Sequence, residues 1–146
     1  MFDRQQFIED LKYLAEKKVP WRHQGSNPDV GMDCIGSLRW AAEKQMTLPA
    51  ELVKEFEAYH RPPDGWHLLE VMRRFFVEIT KDETEPSDLY VIYNRKNPCH
   101  LAVKIDEKLV AEAFQSMDGH VSKFLIRPLD NRYRIAACFR IPDFAG

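Results

Sequence analysis

In the first half of the chain, apolar residues recur at helical spacing four times; in the second half they fall into short runs suited to strands. Phe7, Ile8, Leu11 and Leu14 are separated by charged residues and give out at Lys17-Lys18 before Pro20, which predicts a helix from about residue 3 to 17. Ile35, Leu38, Ala41 and Ala42 form a second stripe reaching about Gln45, capped by Asp33 or a near neighbour. Pro49, at an initial helical position, leads into Leu52, Val53, Phe56 and Tyr59, and Arg61-Pro62-Pro63-Asp64-Gly65 breaks that helix. Leu68, Leu69, Met72, Phe75, Phe76 and Ile79 make the strongest helical stripe of all.

After the charged turn at residues 81–86 the period changes. Residues 89–93, 101–105, 109–114, 121–126 and 133–141 read as five strands separated by short polar turns. Helices followed by consecutive strands predict an α+β domain, with a five-stranded antiparallel meander covered on one side by helices rather than alternating βαβ units. The chain reads as one domain, a helical half at about 1–80 and a sheet half at about 87–142. Residues 19–32, punctuated by two prolines and two glycines, read as loop.

Composition narrows the function classes. At 146 residues and 45% apolar content, the chain suffices for one well-buried core. A formal charge of −2 argues against a nucleic-acid partner, which normally selects a marked Lys/Arg excess. The N-terminal residues lack the apolar core of a signal peptide, and no stretch approaches the ~18 apolar residues of a membrane span. The expectation is synthesis in the cytoplasm, with export open to it through a particle or through lysis. Cys34, Cys99 and Cys138 are odd in number and show no C-x-x-C spacing, so neither a disulfide framework nor a zinc knuckle is predicted. Adjacent Cys99 and His100 would also point to opposite faces of a strand, which disfavours a zinc site built from them with Cys34 and Cys138.

Cys34 carries the candidate chemistry. It follows an irregular, glycine-bearing loop and opens a helix, where unpaired N–H groups favour sulfur anion over thiol. A thiolate nucleophile needs a base, and His100, at the start of a strand, is the first choice among five histidines. Glu112 interrupts the apolar run 109–114 and is the candidate to fix the imidazole tautomer. With a three-residue turn at 106–108, Ile105 opposes Leu109 and His100 lies diagonal to Glu112 on one face; a two-residue turn puts Glu112 on the other face. The competing readings are plain: a free cysteine in a small domain is more often an inert buried residue, and a lone acid in a strand usually marks its wet face. His60 and His67 flank the Pro-Pro break on expected surface, and His120 follows a glycine in a turn. His23 lies in the loop leading to Cys34.

The pattern as a whole resembles the NlpC/P60 family of papain-like cysteine peptidases, in particular its short form in phage tails and gene-transfer particles. The matching segments are Val19 to Gly25, Gly31-Met32-Asp33-Cys34-Ile35-Gly36, Pro86-Ser87-Asp88-Leu89 and the hairpin from His100 to Ala113. The resemblance implies Cys34 as nucleophile, His100 as general base and acid, Glu112 as orienting residue, and Asp33, with Trp21 and His23, at the substrate pocket. It implies hydrolysis of an amide in peptidoglycan stem peptides, often after γ-D-glutamate, through a thioester, with no metal or cofactor. Peptidoglycan peptides would be the partners, with phage-like tail proteins a further expectation. Three positions depart from the family pattern: Glu112 replaces the usual histidine, Ile35-Gly36-Ser37 replaces Ser-Gly-Leu, and Trp21 replaces a tyrosine, losing a hydroxyl. Those departures keep open a non-catalytic module of a tail tip, or acyl transfer and deacylation on the same scaffold.

Overall fold

Asp3 opens the first helix, α1 (Arg4–Lys17), by accepting the Gln6 N–H at 3.0 Å, and Lys18 ends it in a left-handed conformation (φ 55°). The computed structural model of the chain describes residues 1–60, 63–116 and 121–144; the predicted turn at His120 and the Arg61-Pro62 part of the predicted break lie outside the described residues. The apolar stripes become α2 (Cys34–Glu43), α3 (Ala50–Ala58) and α4 (Gly65–Phe75). Residues 19–32 are irregular except for a two-rung antiparallel ladder of β1 (Ser26–Asn27) with β2 (Gly31–Met32). No described helix is long and apolar enough to cross a membrane.

The fourth stripe corrects one expectation. The helix stops at Phe75, and Val77–Ile79 becomes a strand, β3, so the stripe to Ile79 spans two elements. Phe76 turns the backbone extended (φ −115°, ψ 165°) while remaining buried against Phe144. Beyond it, β-branched Val77 and Ile79 find backbone partners on an open sheet edge, which outweighs a marginal helical turn.

The sheet has six strands among the described residues rather than the predicted five: β3, β4 (Leu89–Asn94), β5 (Asn97–Lys104), β6 (Leu109–Gln115), β7 (Ser122–Pro128) and β8 (Ile135–Arg140). Their order is β3-β8-β4-β5-β6-β7, so β4 to β7 are the predicted meander, while β8 returns to lie between β3 and β4. Period-two patterning sorts the sheet into two faces. Leu89, Val91, Leu101, Val103, Ala111 and Phe139 pack with Phe7, Leu11, Leu38, Leu52 and Met72 in the main core. Each such large side chain contributes about 1.5–3 kcal/mol by leaving water. Tyr90, Ile92, Ala102, Val110 and Cys138 form a smaller cluster on the other face.

Two details of β5 position the site. Its turn into β6 is the three-residue one, with the Ile105 N–H donating to the Leu109 carbonyl at 2.9 Å and Asp106 Oδ1 accepting the N–H groups of Lys108 and Leu109. Parity therefore puts His100 and Glu112 on one face, that of Ala102. Pairing between β5 and β6 is confined to Val103–Ala111 and Lys104–Val110, so the strands splay toward His100 and Glu112. At the same end Gly65, the first residue of α4, sits against β5: a Cβ there would lie 2.4 Å from the Pro98 backbone, and its N–H donates to Asn97 Oδ1 at 2.7 Å.

Candidate active site

Cys34 is the first residue of α2, and its neighbours explain why the chain turns helical there. Asp33 is the N-cap, its Oδ1 accepting the Gly36 N–H at 2.8 Å. Its Oδ2 accepts the Gln24 N–H at 2.7 Å and the Tyr59 hydroxyl. Gly36 is required by close approach, because a Cβ there would lie 1.7 Å from the Gly25 carbonyl oxygen. That carbonyl in turn accepts the Asp33 N–H, so the loop is tied to the helix it delivers. Burial and the negative charge of Asp33 push the Tyr59 hydroxyl far above its ordinary range, leaving it a fixed donor.

Across the splay between β5 and β6, His100 Nε2 lies 3.0 Å from Glu112 Oε1. The His100 side chain is 22% exposed and that of Glu112 only 1%. A carboxylate so buried is tolerable only if satisfied, and its other oxygen, Oε2, accepts the Tyr133 hydroxyl at 2.6 Å and Arg127 Nε at 3.3 Å. Arg127 is held over the Phe114 ring at 4.0 Å and the Tyr133 ring at 5.2 Å. With Nε2 committed to Glu112, Nδ1 is the ring nitrogen left for Cys34, whose sulfur acts on the imidazole as a hydrogen-bonding neighbour. Burial opposes a charged imidazole, but hydrogen bonding and charge from Cys34 and Glu112 outweigh it and push His100 up to about 10. Burial likewise opposes the Glu112 charge, and His100, Tyr133 and Arg127 together hold its carboxyl below the usual range. A protonated imidazole against an ionised Glu112 is the pairing this geometry favours at neutral pH.

The three side chains open into a cleft of about 770 Å³ that also includes Trp21, His23, Asp33 and Tyr93. The structure thus brings together all six residues singled out in the sequence, though not in equivalent surroundings. His23 packs edge-on against Tyr59 at 5.4 Å. Asp33 borders the cleft with its carboxylate already engaged by three donors. Ile35 points into the core at 2% exposure, so its departure from a hydroxyl-bearing residue does not alter the cleft wall. Sequence reasoning missed Arg127, Tyr133 and Tyr59, which are distant along the chain; the only cue was Glu112 itself, since a buried carboxylate demands donors. Among the described residues, no three His, Cys, Asp or Glu side chains are grouped to hold a metal ion.

No family model matches the sequence, and no curated protein matches it. Solved structures do match. A lipoprotein-like protein of the NLP/P60 family from Staphylococcus aureus superposes with a TM-score of 0.63 at 18% identity, covering 96% of this chain and 42% of that one. The NlpC/p60 domain of the peptidoglycan hydrolase SagA gives 0.66 at 12% identity, covering 96% of this chain and all (100%) of that one. The fold is the NlpC/P60 fold. The peptidoglycan hydrolase RipB from Mycobacterium tuberculosis shares it with a TM-score of 0.56 at 16% identity, over 97% of this chain and 67% of that one. This chain therefore spans less than half of the staphylococcal protein but the whole of the SagA domain. Within the NlpC/P60 fold, the departures at Glu112 and Trp21 sit in the cleft, whereas the one at Ile35 sits in the core.

Proposed function

We propose that this protein is a cysteine peptidase of the NlpC/P60 type that hydrolyses an amide in peptidoglycan stem peptides, at the bond following γ-D-glutamate. The observation that carries the reading is the imidazole of His100 held between Cys34 and a buried, fully satisfied Glu112. The description of SagA and RipB as peptidoglycan hydrolases supports the choice of substrate.

The chemistry follows from the geometry. The Cys34 thiolate adds to the amide carbonyl carbon, and the oxygen takes up the displaced electron pair. Of the first N–H groups of α2, that of Gly36 is taken by the Asp33 side chain and that of Ser37 by the Asp33 carbonyl, which leaves Cys34 and Ile35 to face an oxyanion. Collapse of the adduct breaks the C–N bond as the imidazolium proton passes to the departing nitrogen, giving an amine and a thioester. Neutral His100 then takes a proton from water as its oxygen attacks the thioester; carboxylic acid and thiolate are released, with the proton back on the imidazole. Glu112 keeps the ring in the tautomer and orientation that both transfers need.

Replacement Cys34→Ala is expected to leave the fold intact, as followed by circular dichroism, and to abolish turnover of defined muropeptides. Product masses identify the bond cut, and retained turnover would remove Cys34 as nucleophile. Iodoacetamide should label Cys34 well ahead of the two buried cysteines, because burial pushes the Cys99 thiol up and that of Cys138 to about 11.

A further inference from the structure

Next to the catalytic cleft lies a second recess of about 750 Å³. The two share Pro63, Asn94 and Cys99 as walls, so together they form one continuous trough running from Cys34 toward the N-terminus of α4. At its far end Trp66 is 60% exposed, an unusual degree for the largest apolar side chain, and it meets Tyr93 edge-on at 6.3 Å. Three exposed cations surround these rings. Arg95 and Lys96 form the β4–β5 turn at the rim, and the Arg134 guanidinium lies over Tyr93 at 5.1 Å while donating to the Arg95 carbonyl.

These cations differ from the other arginines of the sheet. Among the described residues, Arg132 pairs with Asp130 and Arg140 with Asp88, but no carboxylate pairs with Arg95, Lys96 or Arg134. Asp64, the acid in the recess, has its Oδ1 directed at the N–H groups of Trp66 and His67 as the cap of α4. In a chain of net charge −2, three unpaired cations beside a solvent-facing aromatic shelf form a locally positive surface continuous with the nucleophile. The charges favour an anion, and the rings supply an apolar wall for the part of the ligand that carries it.

We propose that this recess is a subsite for the carboxylate-bearing end of an acidic peptide substrate, bound in line with the Cys34 cleft. The assignment rests on the peptidase reading for the identity of the peptide, but its test does not depend on catalysis. Binding to Cys34→Ala protein is measured by titration calorimetry, using a stem peptide with free carboxylates and the same peptide with those groups amidated. At low salt the free acid should bind roughly fivefold tighter or more, about what two exposed ion pairs supply. That preference should shrink at high salt, since exposed charges are screened. It should vanish in the Arg95→Gln/Lys96→Gln protein, whose changes lie on an exposed turn; circular dichroism confirms its fold, and Lys96→Gln alone should give part of the effect.

Equal affinity for acid and amide in Cys34→Ala protein would overturn the subsite, even if the wild-type enzyme cleaves both. Loss of binding in Trp66→Ala with no change in the charge variants would overturn it in favour of stacking with a sugar. Charge-dependent binding to a protein that cleaves no peptide would uphold the subsite and refute the hydrolase.

Discussion

Two carboxylates are buried in this sheet, each beside an arginine, and they are used in opposite ways. Asp88, at the start of β4, has Oδ1 on Arg140 Nε at 3.1 Å and Oδ2 on Arg140 Nη2 and the Glu85 N–H, both at 2.8 Å. Every donor is permanent. Its carbonyl also accepts the Lys104 N–H, so the acid fastens the Pro86-Ser87 turn to β5. Glu112 spends one oxygen on permanent donors, Tyr133 and Arg127, and the other on a ring that can lose its proton. Two saturated oxygens make a lock; one saturated and one shared make a relay.

Replacing each acid by its amide separates the two uses. Glu112→Gln should lower kcat/KM by about 10²- to 10⁴-fold, because an amide neither stabilises the imidazolium nor enforces the tautomer. A loss no greater than that of a surface substitution would dissolve the contrast. Asp88→Asn should instead lower unfolding free energy by about 3 kcal/mol, because Arg140 loses its buried anionic partner and keeps only the exposed Glu85 carboxylate at 3.8 Å. Its rate of Cys34 alkylation should be that of wild type. Denaturant melts and alkylation rates on the same two proteins test both halves.

A pH titration of stability sharpens the comparison further. With its folded-state value raised to about 10, His100 binds its proton more tightly folded than unfolded. Its contribution is therefore complete below about 6.5 and is lost as pH climbs toward 10. Glu112, held low, contributes in the other direction: its share is present above about 4.5 and disappears as pH falls below it. The alkaline loss should flatten in Glu112→Gln and persist in Asp88→Asn, where any second effect would show that the two ends of the sheet communicate.

Much of this arrangement was legible along the chain, and the exceptions share a cause. Helical periodicity located α1 to α3, the cap at Asp33, and the start of α4, since each depends on residues within a few positions. The turn at 106–108 was legible as a choice between two and three residues, and the Ile105–Leu109 hydrogen bond selects the three-residue form that sets His100 diagonal to Glu112. The end of α4 was not, because Val77 and Ile79 continue a helical stripe and only the edge offered by β8 makes them a strand. The return of β8 beside β4 was missed for the same reason: consecutive strands imply a meander until a distant pairing competes. Arg127 and Tyr133 were invisible as site residues because strand spacing says nothing about which cation, among 21 Lys and Arg, will meet a given acid. Asp88 shows the converse, a motif residue whose work is structural.

The finest test of lock against relay is Arg127→Gln. The Arg127 cation is fixed by two aromatic rings and reaches Glu112 Oε2, so the buried carboxylate keeps a positive partner even when His100 is neutral. The cleft that holds this imidazole is also lined by Cys34 from α2, Asp33 and His23 from the preceding loop, and Tyr133, together with Asp130 and Arg132, which pair with one another. Removing only the Arg127 charge leaves Glu112 with the neutral Tyr133 hydroxyl and with His100 as its cationic partner. The imidazole should then hold its proton more tightly, with its titration, followed by ring-proton resonances, moving upward by about half to one pH unit. Turnover should fall severalfold, because the proton is given to the departing amine less readily, and Arg127→Lys should restore part of both. Were Arg127 only a wedge, the carboxylate would drift from the ring and the titration would move downward, with lysine no better than glutamine. On the lock, Arg140→Gln should cost stability and leave the His100 titration where it was; a shift there of the same sign would mean that the two arginines do one job.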